Sequence, residues 1–184
     1  MKLVAPSREY LDGFTDALRR GWSPSSETDI SAELLAEVAK DADAFLAGLD
    51  DRDPQGRTVT LPDGTTVPRI PGFSRWMWDG EFCGSIGARW QPGTTDLPPT
   101  CLGHIGYGVV PWKQRRGYAT AALEQMLDEL RLETDLPWVD ITTDPDNTGS
   151  QKVIEANGGV LVGRFDKGAV YGHGECLRYR AQLD

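Results

Sequence analysis

Apolar residues recur along this chain at two periods, and the change from one to the other outlines its elements. Tyr10, Leu11, Phe14 and Leu18 fall at helical spacing, which predicts an amphipathic helix over residues 8–20, with Ser7 as its N-cap and Gly21 as its stop. Leu34, Leu35, Val38, Ala42, Phe45, Leu46 and Leu49 predict a second helix over 32–49. Residues 2–5 form a short expected strand before the first helix. Residues 50–71 are rich in Asp, Pro and Gly and read as a long connection, with a small hairpin about Asp63-Gly64. Strands over 73–78 and 81–90 flank Asp79-Gly80, a dipeptide suited to a type I′ turn. After a loop at 91–100, residues 102–110 read as a strand. Ala121, Ala122, Leu123, Met126, Leu127 and Leu130 mark the buried side of a helix over 118–133. A strand at 138–143, a short helix at 149–156 ended by Asn157-Gly158, and an antiparallel pair at 160–165 and 169–180 complete the chain. The order is β-α-α-β-β-β-α-β-α-β-β, a mixed α/β layout with its crossover at 102–143 and a single domain over 1–184.

Composition narrows the function classes. The 184 residues can bury a sizeable core without a disulfide or metal staple. Cys83, Cys101 and Cys176 are odd in number and far apart, so neither a zinc site nor a redox pair is expected, and two histidines weaken a metal reading further. No apolar run approaches a membrane span, and Met1 to Pro6 lacks the apolar core of a signal peptide; a cytoplasmic protein is expected. The formal charge of −9 argues against general nucleic-acid or anionic-membrane binding. It suits a cationic substrate, and it equally suits simple solubility.

Against that acidity, Lys113, Arg115 and Arg116 form a basic island between the strand at 102–110 and the helix at 118–133. Gly117 stands where the helix begins. Free N–H groups at a helix start, reinforced by cations, suit an anion such as a diphosphate. Gly117 has no side chain to hold a ligand away from the backbone, and Ala119 is small for the same approach. The G-x-x-x-x-G-K-[ST] spacing of a P-loop is absent.

Gln114-Arg115-Arg116-Gly117-Tyr118-Ala119 resembles the Q/R-x-x-G-x-G/A motif of the GNAT superfamily, the acyl-CoA-dependent N-acyltransferases. Asn147-Thr148-Gly149-Ser150 and Val153 to Gly159 resemble that family's second signature, and the element order resembles the family's over nearly the whole chain. The chain is also similar to a bacterial subgroup of predicted acetyltransferases that shares the Lys-Leu-Val-x-Pro-Ser start and the Gly-His-Ile-Gly-Tyr strand. The resemblance implies an α/β (α+β) fold with a mixed, mostly antiparallel central sheet, a splayed parallel pair and helices on both faces. It implies acetyl-CoA as co-substrate, no metal, and a small-molecule or peptide amine as acceptor. It allows a homodimer. Carried over residue by residue, it gives Val109 and Val110 as backbone partners of the pantetheine arm. Gln114, Arg115, Arg116, Gly117, Tyr118, Ala119 and Thr120 would lie about the diphosphate, with Asn147 and Ser150 at the arm. Asn147 is equally suited to capping the short helix that follows it.

The implied reaction is direct attack of an amine on a thioester. A lysine-like amine has a pKa of about 10.4, so removing its proton at pH 7 costs roughly 4–5 kcal/mol, and a general base eases that step. His104 is the candidate base, at the start of the strand where some family members carry a catalytic glutamate; its other reading is a half-buried strand histidine bonded to neighbours. Glu81, Tyr107 and His173 are weaker candidates. Many family members carry a tyrosine seven residues after the motif asparagine to protonate the leaving thiolate. Ile154 stands there in this chain, leaving Tyr118 as a substitute or no acid at all. That departure admits a rival reading, an acyl-CoA-binding regulatory module without catalysis. Acceptor identity is left to the two N-terminal helices and the loops at 50–72 and 91–101. Trp76, Trp78, Trp90 and Trp112 suit either an acceptor pocket or the core.

Overall fold

The computed structural model describes residues 1–25 and 28–184. In chain order the elements are β1 (Lys2–Val4), α1 (Arg8–Arg19), α2 (Ser31–Lys40), α3 (Ala42–Gly48), β2 (Asp50–Asp51), β3 (Thr58–Thr60), β4 (Thr66–Pro68), β5 (Gly72–Trp78), β6 (Phe82–Arg89), β7 (Ile105–Val109), α4 (Tyr118–Glu133), β8 (Trp138–Thr143), α5 (Thr148–Ala156), β9 (Val160–Asp166) and β10 (Glu175–Gln182). Strands β3 and β4 form the small separate hairpin, with Gly64 at φ +84° in its turn. The main sheet has the order β1-β5-β6-β7-β8-β10-β9, with β2 also on β5. Its pairs are antiparallel except β7 with β8. Mixed α/β, mostly antiparallel, with one parallel pair and helices on both faces: the expected class holds.

Three expectations change. The helix expected over 32–49 is two helices, because Asp41 is extended (φ −161°, ψ 96°) and its carboxylate accepts from the N–H groups of Asp43 and Ala44. An Asp that can cap a new helix competes with continuing the old one. The Asp79-Gly80 turn is not type I′, which needs positive φ at both central residues. Only Gly80 has it, at φ +109°, and the β5–β6 register shifts beside the turn. The last hairpin is longer than expected: residues 169–171 form a 3₁₀ turn, and β10 begins at Glu175.

The register divides the sheet into two faces. Phe73, Ala88, Ile105, Ile141 and Tyr179 are successive cross-strand partners in one transverse row. That face packs on Ala122, Leu123, Met126, Leu127 and Leu130 of α4 and Ile154 of α5. Burying each large apolar side chain contributes about 1.5–3 kcal/mol, so this row ties every central strand to one core. On the other face Trp76 and Phe82 pack with Leu11, Phe14, Leu18 and Trp22 from α1 and its exit, and with Phe45 of α3. Phe14 stacks on Trp76 with ring centroids 4.7 Å apart. The N-terminal helices lie over this strand pair. Farther across the same face the residues are small or polar: Ser74, Gly87 and Gly106 in one row, then Thr142, Arg178 and Gly163.

Candidate active site

The sheet is open at its centre. Strands β7 and β8 share one registered pair, Ile105 with Ile141, whereas β6 and β7 share five. Val110 N–H donates to the Cys83 carbonyl at 2.9 Å, on the β6 side. Pleated alternation then turns the N–H and C=O of Val109 and Tyr107 the other way, into the opening. Val110 itself has no groups to spare: its carbonyl accepts from Lys113 N–H, and its side chain is fully buried among the N-terminal helices. The Val109 carbonyl accepts from Gln114 Nε2 at 3.3 Å. The strand edge facing the gap therefore belongs to Tyr107 and Val109, not Val110.

Beyond the gap the chain makes a 3₁₀ turn at Pro111–Lys113, passes through Arg115 at φ +61°, and enters α4 from Gly117 at φ +75°. No side chain caps this helix. Among the described residues no acceptor is found for the N–H groups of Tyr118, Ala119 and Thr120. Nothing lies within 4 Å of the place a Cβ would take on Gly117, so the space beside it is open. Arg115 and Arg116 are exposed, and neither has a carboxylate partner among the described residues; Arg116 Nη2 reaches the Trp112 carbonyl at 3.5 Å. Lys113 points elsewhere. Its ammonium contacts Asp79 at 3.0 Å and Glu81 at 2.9 Å on the β5–β6 turn. Tyr118 also turns to that carboxylate, its hydroxyl donating to Asp79 at 2.5 Å. Burial would raise the Asp79 carboxyl, but hydrogen bonds from Tyr118 and Lys113 outweigh it and hold the group well below the usual carboxylate range. The basic island is thus two exposed guanidiniums without a carboxylate partner among the described residues, with the lysine serving as a brace.

The opposite wall of the gap is the start of α5. Asn147 caps it, its Oδ1 accepting from Ser150 N–H at 3.0 Å, and no partner for Asn147 Nδ2 is found among the described residues. Ser150 Oγ lies 2.8 Å from the Tyr107 hydroxyl, so a hydrogen bond spans the opening. Burial pushes the Tyr107 pKa up to about 12, against the opposing pull of Ser150, and the phenol keeps its proton at neutral pH. Asn157 Nδ2 donates to the Thr120 carbonyl and ties α4 to α5 behind the gap. Ile154 is fully buried in the core.

His104 is 1% exposed. Its backbone N–H donates to the Asp140 carbonyl at 2.7 Å, its carbonyl accepts from Arg89 N–H, and its Nδ1 accepts from Asp140 N–H at 3.0 Å. Burial lowers its pKa below the ordinary value, outweighing the nearby Asp140 charge, and the cations Arg89 and Arg180 lower it further. The ring is neutral with its proton on Nε2, and the lone pair a base would need is already used. Of the weaker candidates, exposed Glu81 pairs with Lys113, and exposed His173 pairs with Asp166 at 2.9 Å. The three cysteines are unpaired. Among the described residues no group of three or more His, Cys, Asp or Glu is placed to hold a metal, and no helix is long and apolar enough to cross a membrane.

A sheet parted at one parallel pair, with an uncapped helix start at the mouth of the gap, defines a GNAT-type acyltransferase scaffold. The family model described as an acetyltransferase (GNAT) domain matches residues 34–160, and the chain belongs to that family. The fold is similar to RimJ of Mycobacterium smegmatis, solved with CoA-disulfide (TM-score 0.65, 20% identity, covering 98% of this chain and 80% of that one). It is similar to the microcin C7 self-immunity acetyltransferase MccE, solved with acetyl-CoA and AMP (TM-score 0.60, 13% identity, 98% and 91%). It is also similar to a variant of the spermidine N-acetyltransferase SpeG of Vibrio cholerae (TM-score 0.60, 13% identity, 100% and 95%). At these identities the likeness is one of fold. No curated protein sequence matches the chain significantly.

Proposed function

We propose that the chain is an N-acetyltransferase that transfers the acetyl group of acetyl-CoA directly to a primary amine. The observation that carries this reading is the gap between β7 and β8 opening onto the unpartnered N–H groups of α4. A diphosphate fits there: Tyr118, Ala119 and Thr120 offer backbone donors, Gly117 leaves open space, and Arg115 and Arg116 supply charge-assisted bonds. The pantetheine arm lies along the free edge of Tyr107 and Val109, as an added strand would, with Asn147 Nδ2 and Ser150 on the other side.

Acetyl-CoA when bound supplies an activated thioester; the chain orients it and manages charge. The N–H of Val109 or Tyr107, turned into the gap, stabilises negative charge growing on the carbonyl oxygen. The Tyr107 hydroxyl, protonated and held by Ser150, is the proton donor at the gap for the departing sulfur. His104 acts as a pin between β7 and β8 and not as the base, a reading supported by its occupied Nδ1. Amines that ionise near pH 8 lose a proton for only about 1.4 kcal/mol at pH 7, so a weakly basic acceptor needs little help.

Calorimetry at low salt tests the co-substrate. Acetyl-CoA should bind, and Arg116→Glu should weaken it at least about tenfold with an unchanged melting temperature. No heat of binding, or an indifferent Arg116→Glu, removes the reading. The engaged His104 lone pair and the buried Ile154 favour a second reading, an acyl-CoA-binding module without turnover. Release of CoA thiol across an amine panel separates the two.

A further inference from the structure

The sheet face opposite α4 carries a cationic trough beside the gap, in a chain whose formal charge is −9. Three observations define it. First, Arg89, Arg178 and Arg180 share this face with the carboxylate of Asp140. Arg180 holds that carboxylate through two bonds of 2.8 and 3.0 Å, and Arg178 stands 4.0 Å from it. Arg89 has no carboxylate partner among the described residues and lies over Gly106, where an added Cβ would meet its Nη2 at 3.2 Å. Second, the floor is small: Gly87, Gly106, Thr142 and Gly163 keep the surface low, and Gly106 is exposed although it sits mid-sheet. A shallow pocket of about 250 Å³ opens at the far end, lined by Val162, Gly163, Arg164, Phe165, Arg178 and Arg180.

Third, among the described residues three buried side-chain polar atoms have no hydrogen-bond partner: His104 Nε2, Trp138 Nε1 and Arg178 Nε, the last of which is the atom 4.0 Å from Asp140. All three are donors, since His104 Nδ1 is the acceptor of that ring. Strand alternation puts all three residues on this same face: Trp138 two places before Asp140, Arg178 beside Thr142, and His104 next to Ile105 of the opposite row. Buried donors without acceptors are costly, and with the guanidiniums they leave this face rich in donors and poor in acceptors. The arginines are also held ready. Arg178 lies 4.5 Å over the Phe165 ring and Arg180 4.6 Å over Trp138, which cuts the ordering cost of gripping an anion.

We propose that the acceptor is an amine that also carries a carboxylate, and that Arg178 receives that carboxylate while the amine faces the gap, with Arg89 adding to the positive field over the trough. This rests on the acetyltransferase reading above and names its substrate class. Arg178 is two strands from β7, about 10 Å at ordinary strand spacing, which sets the separation between amine and carboxylate. A polycation would meet three guanidiniums and be repelled.

The test uses the full chain and matched probes: glycylglycine and glycylglycinamide, triglycine and its amide, and spermidine. Each carboxylate probe should be acetylated with kcat/KM about tenfold or more above its amide, the difference lying in KM. The Arg89→Met/Arg178→Met double variant should abolish that preference and keep its affinity for acetyl-CoA. Saturation-transfer NMR of the same probes, with and without CoA, reads carboxylate-dependent binding whether or not turnover occurs. Preference for the amides or spermidine, a preference that survives the double variant, or no carboxylate-dependent NMR signal overturns the proposal. Failure to bind acetyl-CoA would instead strike the acetyltransferase reading, and the NMR comparison would still decide the trough.

Discussion

Gly84 is where the slot depends most on one missing atom. It sits in β6 at φ +147°, opposite Val109. A Cβ there would stand 2.1 Å from the Gly108 carbonyl oxygen, 2.8 Å from Val109 Cα and 3.0 Å from Gly108 C. All three atoms are backbone, so no side chain can swing aside. In Gly84→Ala the unfavourable φ costs about 1–3 kcal/mol. Overpacking adds about 1–3 kcal/mol. The expected loss is about 2–6 kcal/mol, a large part of the 5–15 kcal/mol typical of a domain. Two other glycines separate the components. Gly117→Ala keeps the backbone cost without the clash, since φ is +75° and nothing lies within 4 Å; about 1–2 kcal/mol is expected. Gly163→Ala has neither problem and should be neutral or stabilising by a few tenths, as a Cβ in a strand is favoured over none. Urea unfolding followed by tryptophan fluorescence ranks the three. If Gly84→Ala falls within 1 kcal/mol of Gly117→Ala, close approach of β6 to β7 is not what fixes the wall of the gap.

Three further outcomes follow from the same geometry. The folded-state pKa of His104 is depressed, so the unfolded chain takes up the proton first: stability should fall as pH drops below about 6.5, by up to about 1.4 kcal/mol per unit, and His104→Asn should flatten that fall in pH-dependent urea titrations. Asp41→Ala should cost about 1 kcal/mol in thermal unfolding and Asp41→Asn much less, because only the first removes the cap shared by Asp43 and Ala44. Tyr107→Phe should lower kcat roughly 10²-fold with acetyl-CoA affinity nearly unchanged; an unaltered kcat would take Tyr107 out of the proton path.

What the sequence disclosed follows range. Helix α4 was legible to the residue because its apolar period and the Gly117 before it are local signals. The break at Asp41 was written locally too, as an Asp able to cap, but an apolar stripe running through it to Leu49 masked the interruption. The turn at Asp79 could not be read from its dipeptide. Its carboxylate is claimed by Lys113 and Tyr118, which lie 34 and 39 residues away. The same partners remove Lys113 and the Tyr118 hydroxyl from the basic island that the sequence presents as one cluster. The trough was invisible for a related reason. Arg89, Asp140, Arg178 and Arg180 belong to three strands; the register of β8 with β10 sets Asp140 against Arg180, and the pairings of β6 with β7 and β7 with β8 bring Arg89 to the same face. Alternation in 138–143 and 175–182 was the available signal, but without pairing it cannot say which polar residues meet.

The sheet also separates the two proposed sites. The free amides of α4 and the guanidiniums of Arg115 and Arg116 lie at the C-terminal end of β7, on the helix that packs the apolar face of the sheet. Arg89, Arg178 and Arg180 lie on the other face, and the core row from Phe73 to Tyr179 stands between them. Charges more than a Debye length apart, about 8 Å at physiological salt, are largely screened from one another where they are exposed. Arg116→Glu should therefore change the affinity for acetyl-CoA and leave the carboxylate preference intact, while the Arg89→Met/Arg178→Met pair should do the reverse. Additive effects in the combined triple variant would mark two independent sites. Strong coupling would mean that a single anion spans both faces, and the division of labour between them would have to be redrawn.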